Sequence, residues 1–204
     1  MRILFLCIHN SARSQIAEAI FRHLGEGKIK VKSAGSQPTK VNPYVYRVLE
    51  EAGVNTEGLC SKDVKDFLGE KFDFIITLCG EMRETCPLFP GEHRDIHWPL
   101  SDPAGVKGGE EDILSAFRRV RDTLKALAIE FLGLPRGKAR IRCPSCGFLE
   151  SVDIPQDRCL AFWKCPQCGK IASAPRGSCC VICGYSDRVC EEFLQRVRAK
   201  FFST

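Results

Sequence analysis

Residue types and spacing at the start of the chain fit a site that handles an oxyanion. Cys7 ends an apolar run, and Arg13 follows it after five residues, in the order Cys7-Ile8-His9-Asn10-Ser11-Ala12-Arg13-Ser14. A loop before a helix can turn its backbone N–H groups inward, and the helix dipole adds positive character. That field, with a hydrogen bond from Ser14, favours the thiolate of Cys7. We predict a sulfur nucleophile in a loop whose substrate-binding residues are His9, Asn10, Ser11, Ala12 and Arg13, the last holding two oxygens bidentately.

The elements around this loop decide between chemistry and a structural cysteine followed by a surface arginine. Apolar runs predict strands at 2–6, 29–35, 72–80 and 94–100, and helical spacing of apolar residues predicts helices at 14–25, 42–53 and 110–133. This alternation predicts an α/β fold, with a four-stranded parallel sheet and helices on both faces. Ligands of such sheets bind at the carboxyl ends of the strands, where the Cys7 loop lies, which favours chemistry.

Three further residues fall at the same edge of the predicted sheet. Asp102 follows the fourth strand, where its carboxyl could protonate a leaving oxygen, or could only cap the turn before Pro103. Cys79 ends the third strand, and Cys86 follows after six residues. Two thiols in an accessible loop are placed for thiol–disulfide exchange. The alternative is that Cys79 is a buried strand-end residue and Cys86 is incidental.

Motifs in this first part resemble a known family. CxxNSxRS around Cys7, SAG at 33–35, NP at 42–43 and DPA at 102–104 resemble the low-molecular-weight tyrosine phosphatase fold, and more closely its arsenate reductase branch, over about residues 1–132. The resemblance implies that Cys7 is the nucleophile, Arg13 the oxyanion clamp and Asp102 the general acid.

The TLC…CP segment at 77–87 is similar to thioredoxin-coupled arsenate reductases. That likeness implies that Cys79 attacks Cys7 and releases arsenite. Cys86 then attacks Cys79, and thioredoxin reduces the resulting disulfide without a flavin or nicotinamide in this chain.

The same family supplies an expectation about a cation. Some members bind potassium beside the loop through an Asn, a Glu, a Ser and an Asp. Asn10, Glu18 and Ser33 match, but Lys62 stands at the Asp position. An ammonium group there could replace the cation, so the resemblance implies no potassium requirement.

Composition divides the chain near residue 135. Residues 1–135 carry 18 basic and 19 acidic side chains, and residues 136–204 carry 12 and 6, which make up the 30 and 25 of the whole chain. Nine of the 13 cysteines also fall in the second part. With this boundary, the resemblance implies an arsenate reductase-like domain at 1–134, and we predict a linker at 135–141 and a cysteine-rich, zinc-ribbon-like domain with a terminal helix at 142–204.

The spacing of four cysteines in this tail is that of a zinc site. CPSCG and CPQCG form a C-x2-C-x18-C-x2-C pattern, which predicts tetrahedral structural zinc or, alternatively, a redox dithiol or disulfide module. The four predicted ligands are Cys143, Cys146, Cys165 and Cys168.

Five more cysteines follow a second pattern. The segment 175–190 resembles a small module marked by GDCCVxCSYG, with Ser178 in place of the Asp and Gly184 in place of the later Ser. Soft thiolates suit a second zinc site, arsenite capture or a redox relay. The residues of this possible second metal or thiol site are Cys159, Cys179, Cys180, Cys183 and Cys190.

Taken together, these patterns predict a thioredoxin-dependent arsenate reductase for arsenic detoxification with a structural zinc. Two alternatives stay open: a protein-tyrosine or small-molecule phosphatase, and an arsenite- or metal-binding protein. The start of the chain lacks the pattern of a signal peptide, and the apolar runs are shorter than the ~20 residues of a membrane span, so we expect a cytoplasmic protein without a membrane partner. The basic face of the helix predicted at 189–202 is typical of a solvated surface, which makes nucleic acid an unlikely partner.

Overall fold

The computed structural model describes residues 1–80 and 87–202. A four-stranded parallel sheet forms the centre of the first part, in the spatial order β2-β1-β3-β4. This confirms the predicted four-stranded parallel sheet. Its strands are β1 (Arg2–Cys7), β2 (Lys30–Gly35), β3 (Phe74–Thr77) and β4 (Arg94–His97).

Three helices accompany this sheet, with bounds that differ from the predicted ones by at most two residues. They are α1 (Arg13–Leu24), α2 (Pro43–Glu51) and α3 (Glu110–Phe131). The α2 helix begins where Asn42 accepts a hydrogen bond from Tyr44 N and Pro43 takes the first helical position, where its missing N–H is not needed.

Alternation along β1 divides its side chains between two buried layers. Ile3 and Phe5 pack with the apolar faces of α1, α2 and α3. Leu4 and Leu6 face the other layer, which includes the 3₁₀ helix Val64–Phe67. The carboxyl ends of all four strands therefore open at one edge between two filled layers.

The tail consists of two β-hairpins and two helices. The strands are β5 (Lys138–Arg142), β6 (Leu149–Asp153), β7 (Phe162–Lys164) and β8 (Ile171–Ser173), paired antiparallel as β5-β6 and β7-β8. The helices are α4 (Val181–Tyr185) and α5 (Glu191–Phe201), the latter close to the predicted 189–202.

The tail packs on the first part of the chain. Strand β5 begins inside the segment predicted as a linker, and Ala139 and Ile141 are buried in the same apolar cluster as Phe117 of α3. Gly177 approaches α3 so closely that a Cβ atom would lie 2.3 Å from the carbonyl oxygen of Ser115. Within the described ranges, no helix has the length and apolar character needed to cross a membrane.

Candidate active site and thiol clusters

The Cys7 thiol lies where β1 ends and the loop to α1 begins. Its side chain is buried, and Sγ lies 2.9 Å from Oγ of Ser14 in the first turn of α1. Asn10 Nδ2 donates a hydrogen bond of 2.8 Å to that Ser14 oxygen. Because the amide nitrogen is a donor, the Ser14 hydroxyl keeps its own proton for the sulfur of Cys7. The predicted Ser14–Cys7 hydrogen bond has the geometry it needs.

Asn10 shapes the loop from behind its anion-facing side. Its backbone has a φ of 46°, a left-handed conformation that Asn tolerates better than most residues. The buried side chain also donates to Ser33 Oγ at 2.8 Å and accepts from Lys62 N at 2.8 Å. Asn10, which we predicted among the substrate-binding residues of the loop, thus uses its side chain to hold the loop.

Backbone carbonyl groups of the loop are tied down on its outer side. Ile8 O, His9 O and Ser11 O accept hydrogen bonds of 2.9 Å from the amides of residues 37, 39 and 42. In the described part of the chain, no acceptor faces the amide N–H groups of residues 9–13. N–H groups without a protein acceptor at a helix N-terminus can bind an anion.

Gly35 lets this loop sit against the end of β2. A Cβ atom at that position would lie 2.4 Å from Ile8 O and 2.8 Å from Asn10 N. The SAG motif at 33–35 thus has a steric reason, which the sequence alone did not reveal.

Arg13 and Asp102 face each other across the mouth of the site. Arg13 Nη2 lies 3.4 Å from Asp102 Oδ2, and Nη1 donates to Leu100 O at 3.1 Å. Asp102 also accepts a hydrogen bond of 3.1 Å from Ala104 N, so it caps its turn as well as facing the site. Both residues line a cavity of about 500 Å³ together with His9, which is exposed.

The structure brings Cys79 to the same cavity. Cys79 lies just beyond β3, is buried, and lines the cavity that holds Arg13 and Asp102. Cys7 and Cys79 belong to one buried cluster next to Leu6. Cys86, the third predicted redox thiol, lies outside the described residues.

A lysine ammonium lies beside the loop where the family resemblance suggested a cation. Lys62 Nζ lies 3.0 Å from Glu18 Oε2 and 2.8 Å from Cys60 O. Ser33 Oγ donates to the same Glu18 oxygen. Glu18 is buried and Lys62 is largely so, which makes this a buried ion pair joined to the loop through Ser33 and Asn10.

We therefore expect the activity of the wild-type protein to be unchanged when sodium is replaced by potassium. Lys62→Met should leave the buried Glu18 carboxylate without its partner and cost about 3–5 kcal/mol of stability. Potassium should restore part of that loss, because oxygen atoms of Glu18, Ser33 and Cys60 remain as ligands. Thermal unfolding and initial rates in matched sodium and potassium buffers measure both effects. A wild-type rate that rises in potassium would contradict the role of Lys62.

Gln15 takes part in the loop, although our sequence analysis did not identify it. This fully buried residue of α1 donates from Nε2 to Asn10 Oδ1 at 2.8 Å and to Cys60 O at 2.7 Å. Gln15 lies on the face of α1 opposite the apolar residues Ile16, Ile20 and Leu24, so the helical pattern gave no signal that it is buried. Its bonds link the loop to the segment that carries Lys62.

The tail brings four cysteines into one group, named here the four-thiol cluster. Cys143, Cys146, Cys165 and Cys168 have all Sγ atoms within 4.8 Å of one another, and this group could hold a metal ion. Burial acts to raise the pKa of the Cys143 thiol, but the backbone N–H groups of Ser145 and Cys146 outweigh it and lower the pKa to about 7. More of the Cys143 thiolate, the form that binds metals, is therefore present at neutral pH than for an ordinary cysteine.

The remaining tail cysteines form a second group, the five-thiol cluster. It consists of two sets of three thiols that share one member, and each set could hold a metal ion. The outer set is Cys159, Cys179 and Cys190, and the inner set is Cys180, Cys183 and Cys190. The structure thus joins all five residues that the sequence grouped as a possible second site.

Comparison with known proteins places most of the chain in one family. The family model described as "Low molecular weight phosphotyrosine protein phosphatase" matches residues 2–141. Arsenate reductase of Shouchella clausii is 36% identical over 63% of this chain and 93% of its own length. Glutaredoxin arsenate reductase of Synechocystis is 34% identical over 61% of this chain and 88% of its own length. A solved structure titled "An arsenate reductase in oxidized state" is 29% identical with a TM-score of 0.53, and covers 63% of this chain and 97% of its own.

Proposed function

Because this chain belongs to the low molecular weight phosphotyrosine protein phosphatase family, we propose that it uses the family's oxyanion loop to reduce arsenate to arsenite. The observation that carries this proposal is the presence of a second thiol, Cys79, in the cavity of Arg13 and Asp102. A phosphatase needs one nucleophilic thiol, since water completes its reaction. A second buried thiol at the same cavity serves a reaction in which sulfur is the electron donor. The names of the relatives support the same substrate.

The first step forms a bond between Cys7 and arsenic. The Cys7 thiolate attacks the arsenic of arsenate held by the loop N–H groups and Arg13. A hydroxyl group leaves as water with a proton from Asp102, which lies 3.4 Å from Arg13 at the cavity mouth.

The second step is the reduction. Cys79 attacks the sulfur of Cys7, a disulfide forms, and the electron pair of the sulfur–arsenic bond stays on arsenic. Arsenic(V) thereby becomes arsenic(III), and two thiols supply the two electrons.

The third step resets the site. Cys86 attacks Cys79, frees Cys7 and carries the oxidation to a Cys79–Cys86 disulfide, which thioredoxin reduces. This cycle requires a reducing compartment, and we place the protein in the cytoplasm. Since one relative is named for glutaredoxin, both reductants belong in the test.

Arsenite formation from arsenate tests the proposal. The wild-type protein with NADPH, thioredoxin reductase and thioredoxin should turn over repeatedly, and Cys7→Ser should produce no arsenite. Cys60→Ser serves as the matched control, because that thiol is exposed and the substitution keeps the backbone carbonyl that Gln15 and Lys62 contact. Hydrolysis of a phenyl phosphate without arsenite formation would instead assign a phosphatase. If arsenite forms with glutaredoxin but not with thioredoxin, glutaredoxin is the reductant, and the proposed arsenate reduction still holds.

For the four-thiol cluster we propose structural zinc. A zinc ion at about 2.3 Å from four tetrahedral sulfurs gives sulfur–sulfur distances of about 3.8 Å. The observed distances are 3.8 Å between Cys143 and Cys168 and 3.7 Å between Cys146 and Cys165. The ion would join the ends of the β5-β6 and β7-β8 hairpins, which are too short to bury a core of their own.

Loss of one ligand should therefore remove this zinc without stopping the chemistry. Cys168→Ser is expected to bind one zinc ion fewer per chain than Cys60→Ser does. It should expose the hairpins to limited proteolysis, while arsenate reduction stays close to the wild-type rate. Elemental analysis and peptide mapping measure the first two effects. An unchanged zinc content would refute the assignment of these four ligands.

A further inference from the structure

The two thiol clusters of the tail differ in a way that matters for what they bind. The four-thiol cluster is a closed set of four mutually close sulfurs. In the outer set of the five-thiol cluster, Sγ atoms lie 3.5 Å (Cys159–Cys179), 3.7 Å (Cys159–Cys190) and 3.8 Å (Cys179–Cys190) apart. Among the described cysteines, no fourth Sγ lies within 4.8 Å of all three. Structural zinc needs four ligands, so this set is one thiol short of a closed zinc site.

We propose that Cys159, Cys179 and Cys190 bind trivalent arsenic, the product of the reduction proposed above. Arsenous acid exchanges its three hydroxyl groups for three thiolates, with three thiol protons leaving in three molecules of water. Arsenic stays trivalent, so the step needs neither oxidant nor reductant. Its lone pair occupies the position where zinc would require a fourth ligand. A set of three converging sulfurs therefore matches trivalent arsenic better than it matches zinc.

Exposure separates this outer set from the inner one. Cys159 and Cys179 are half-buried, whereas Cys180 and Cys183 are buried. Cys183 is also fixed by its neighbours, since its carbonyl accepts from buried Lys125 and its sulfur accepts from Cys190 N at 3.4 Å. Cys190, which both sets share, is buried as well, so a solute would meet Cys159 and Cys179 first and Cys190 behind them.

Helix α5 connects the outer set with the active-site loop. Cys190 is the N-cap of α5, and the 11 residues of that helix span about 16 Å at 1.5 Å per residue. Its far end, with Val197 and Phe201, lines a cavity of about 440 Å³ whose other wall is the loop Pro99–Pro103. Residues 99–102 of that loop also line the active-site cavity. The helix that begins at Cys190 and the active-site cavity therefore share the loop Pro99–Pro103, which connects the two sites through one stretch of surface.

Glu192 is the residue that could turn the outer set into a zinc site. Its Oε2 lies 3.2 Å from Cys159 Sγ, and it pairs with Arg196. Burial and the hydrogen bond to this carboxylate both raise the pKa of the Cys159 thiol, so Glu192 keeps the thiol protonated until it reacts. As a ligand it would complete a four-coordinate zinc site, which the experiment must distinguish.

The test uses the full-length, zinc-loaded chain carrying Cys7→Ser, so that the catalytic thiols of the first part cannot complete a site with Cys7. Sodium arsenite is added, free arsenite is removed by gel filtration, and bound arsenic and zinc are measured. We expect one arsenic per chain, surrounded by three sulfurs in arsenic X-ray absorption spectra, with no zinc released. A further Cys159→Ser or Cys179→Ser change should weaken binding at least 10-fold, and Cys60→Ser should not.

Two results would overturn the proposal. Retention of arsenite that is equal in the Cys159→Ser and Cys60→Ser chains would place the arsenic elsewhere. Absence of retained arsenite, with one zinc ion lost on Cys159→Ser, would make the outer set a zinc site completed by Glu192. The absorption spectrum of the Cys7→Ser chain decides the matter even where a tail variant folds poorly. Because arsenite is supplied directly, a wild-type chain that fails to reduce arsenate would refute the proposed function and leave this result standing.

Discussion

Arsenate reduction by the Cys86→Ser variant is expected to stop after one arsenite per chain. Cys7 and Cys79 supply the two electrons for the first arsenite; they belong to one buried cluster, and Cys79 lines the cavity of Arg13 and Asp102. Without Cys86, the resulting Cys7–Cys79 disulfide stays where both partners were buried in the reduced protein. A protein reductant needs access to a sulfur atom, so resolution by thioredoxin should be slower by several orders of magnitude. Rapid-quench assays of arsenite, with thiol counts before and after, measure this burst.

Two companion variants define what the burst means. Cys79→Ser should release no arsenite, because the sulfur–arsenic bond on Cys7 then has no attacking thiol. Cys60→Ser should turn over like the wild type, since its exposed thiol has no part in the relay. Multiple turnovers by Cys86→Ser would show that another thiol or the reductant itself resolves Cys79, and the three-cysteine order would be wrong.

The parts of this site that the sequence predicts are those set by local rules. The residues around Cys7 predict a buried strand followed by a loop and a helix N-terminus. The parallel topology then brings Cys79 and Asp102 to the same edge of the sheet as Cys7. The supporting contacts follow no local rule. Asn10 was predicted as a substrate residue because it lies in the loop, but its side chain turns to Ser14 and Ser33.

The attachment of the tail was not predictable for a related reason. Gly, Pro and basic residues near 135 indicate a linker, yet β5 begins at Lys138 and buries Ile141. For the helix predicted at 110–133, sequence alone does not show which of its charged residues meet partners. In the structure, Arg121, Asp122 and Lys125 are buried beneath the tail.

These three residues form an ionic network between α3 and the tail. Asp122 Oδ1 lies 2.8 Å from Arg121 Nε and 3.0 Å from Lys125 Nζ. Lys125 Nζ also donates to the carbonyls of Cys183, Ser186 and Arg188 around the end of α4. Burial lowers the pKa of Lys125, and the Asp122 carboxylate opposes that shift. One carboxylate therefore holds two buried cations that bind the backbone and side chains of the tail.

Asp122→Ala should accordingly be strongly destabilising. It leaves Lys125 without an ionic partner, and it removes the acceptor of the Ser178 hydroxyl, which donates to Asp122 Oδ2 at 2.6 Å. Breaking a buried ion pair from one side costs about 3–5 kcal/mol. For a chain of this length, that loss corresponds to a fall in Tm of roughly 6–20 °C. Asp157→Ala, at an exposed position in the tail, should change stability by less than about 0.5 kcal/mol.

The fluorescence of the two tryptophans can show which part of the protein unfolds first. Trp98 is buried in the catalytic part and Trp163 in the tail, and the chain has no others. Fluorescence melts of Asp122→Ala in Trp98→Phe and Trp163→Phe backgrounds should show Trp163 exposed at a lower temperature than Trp98, because the network holds the tail on α3. If the two tryptophans of the Asp122→Ala chain instead report the same Tm, and that Tm equals the Tm of Asp157→Ala, then apolar contacts such as those of Ile141 hold the tail without help from these charges. If the tail detaches first, the three outer thiols also separate from the active-site loop. The ionic network would therefore be needed for the capture of arsenite as well as for stability.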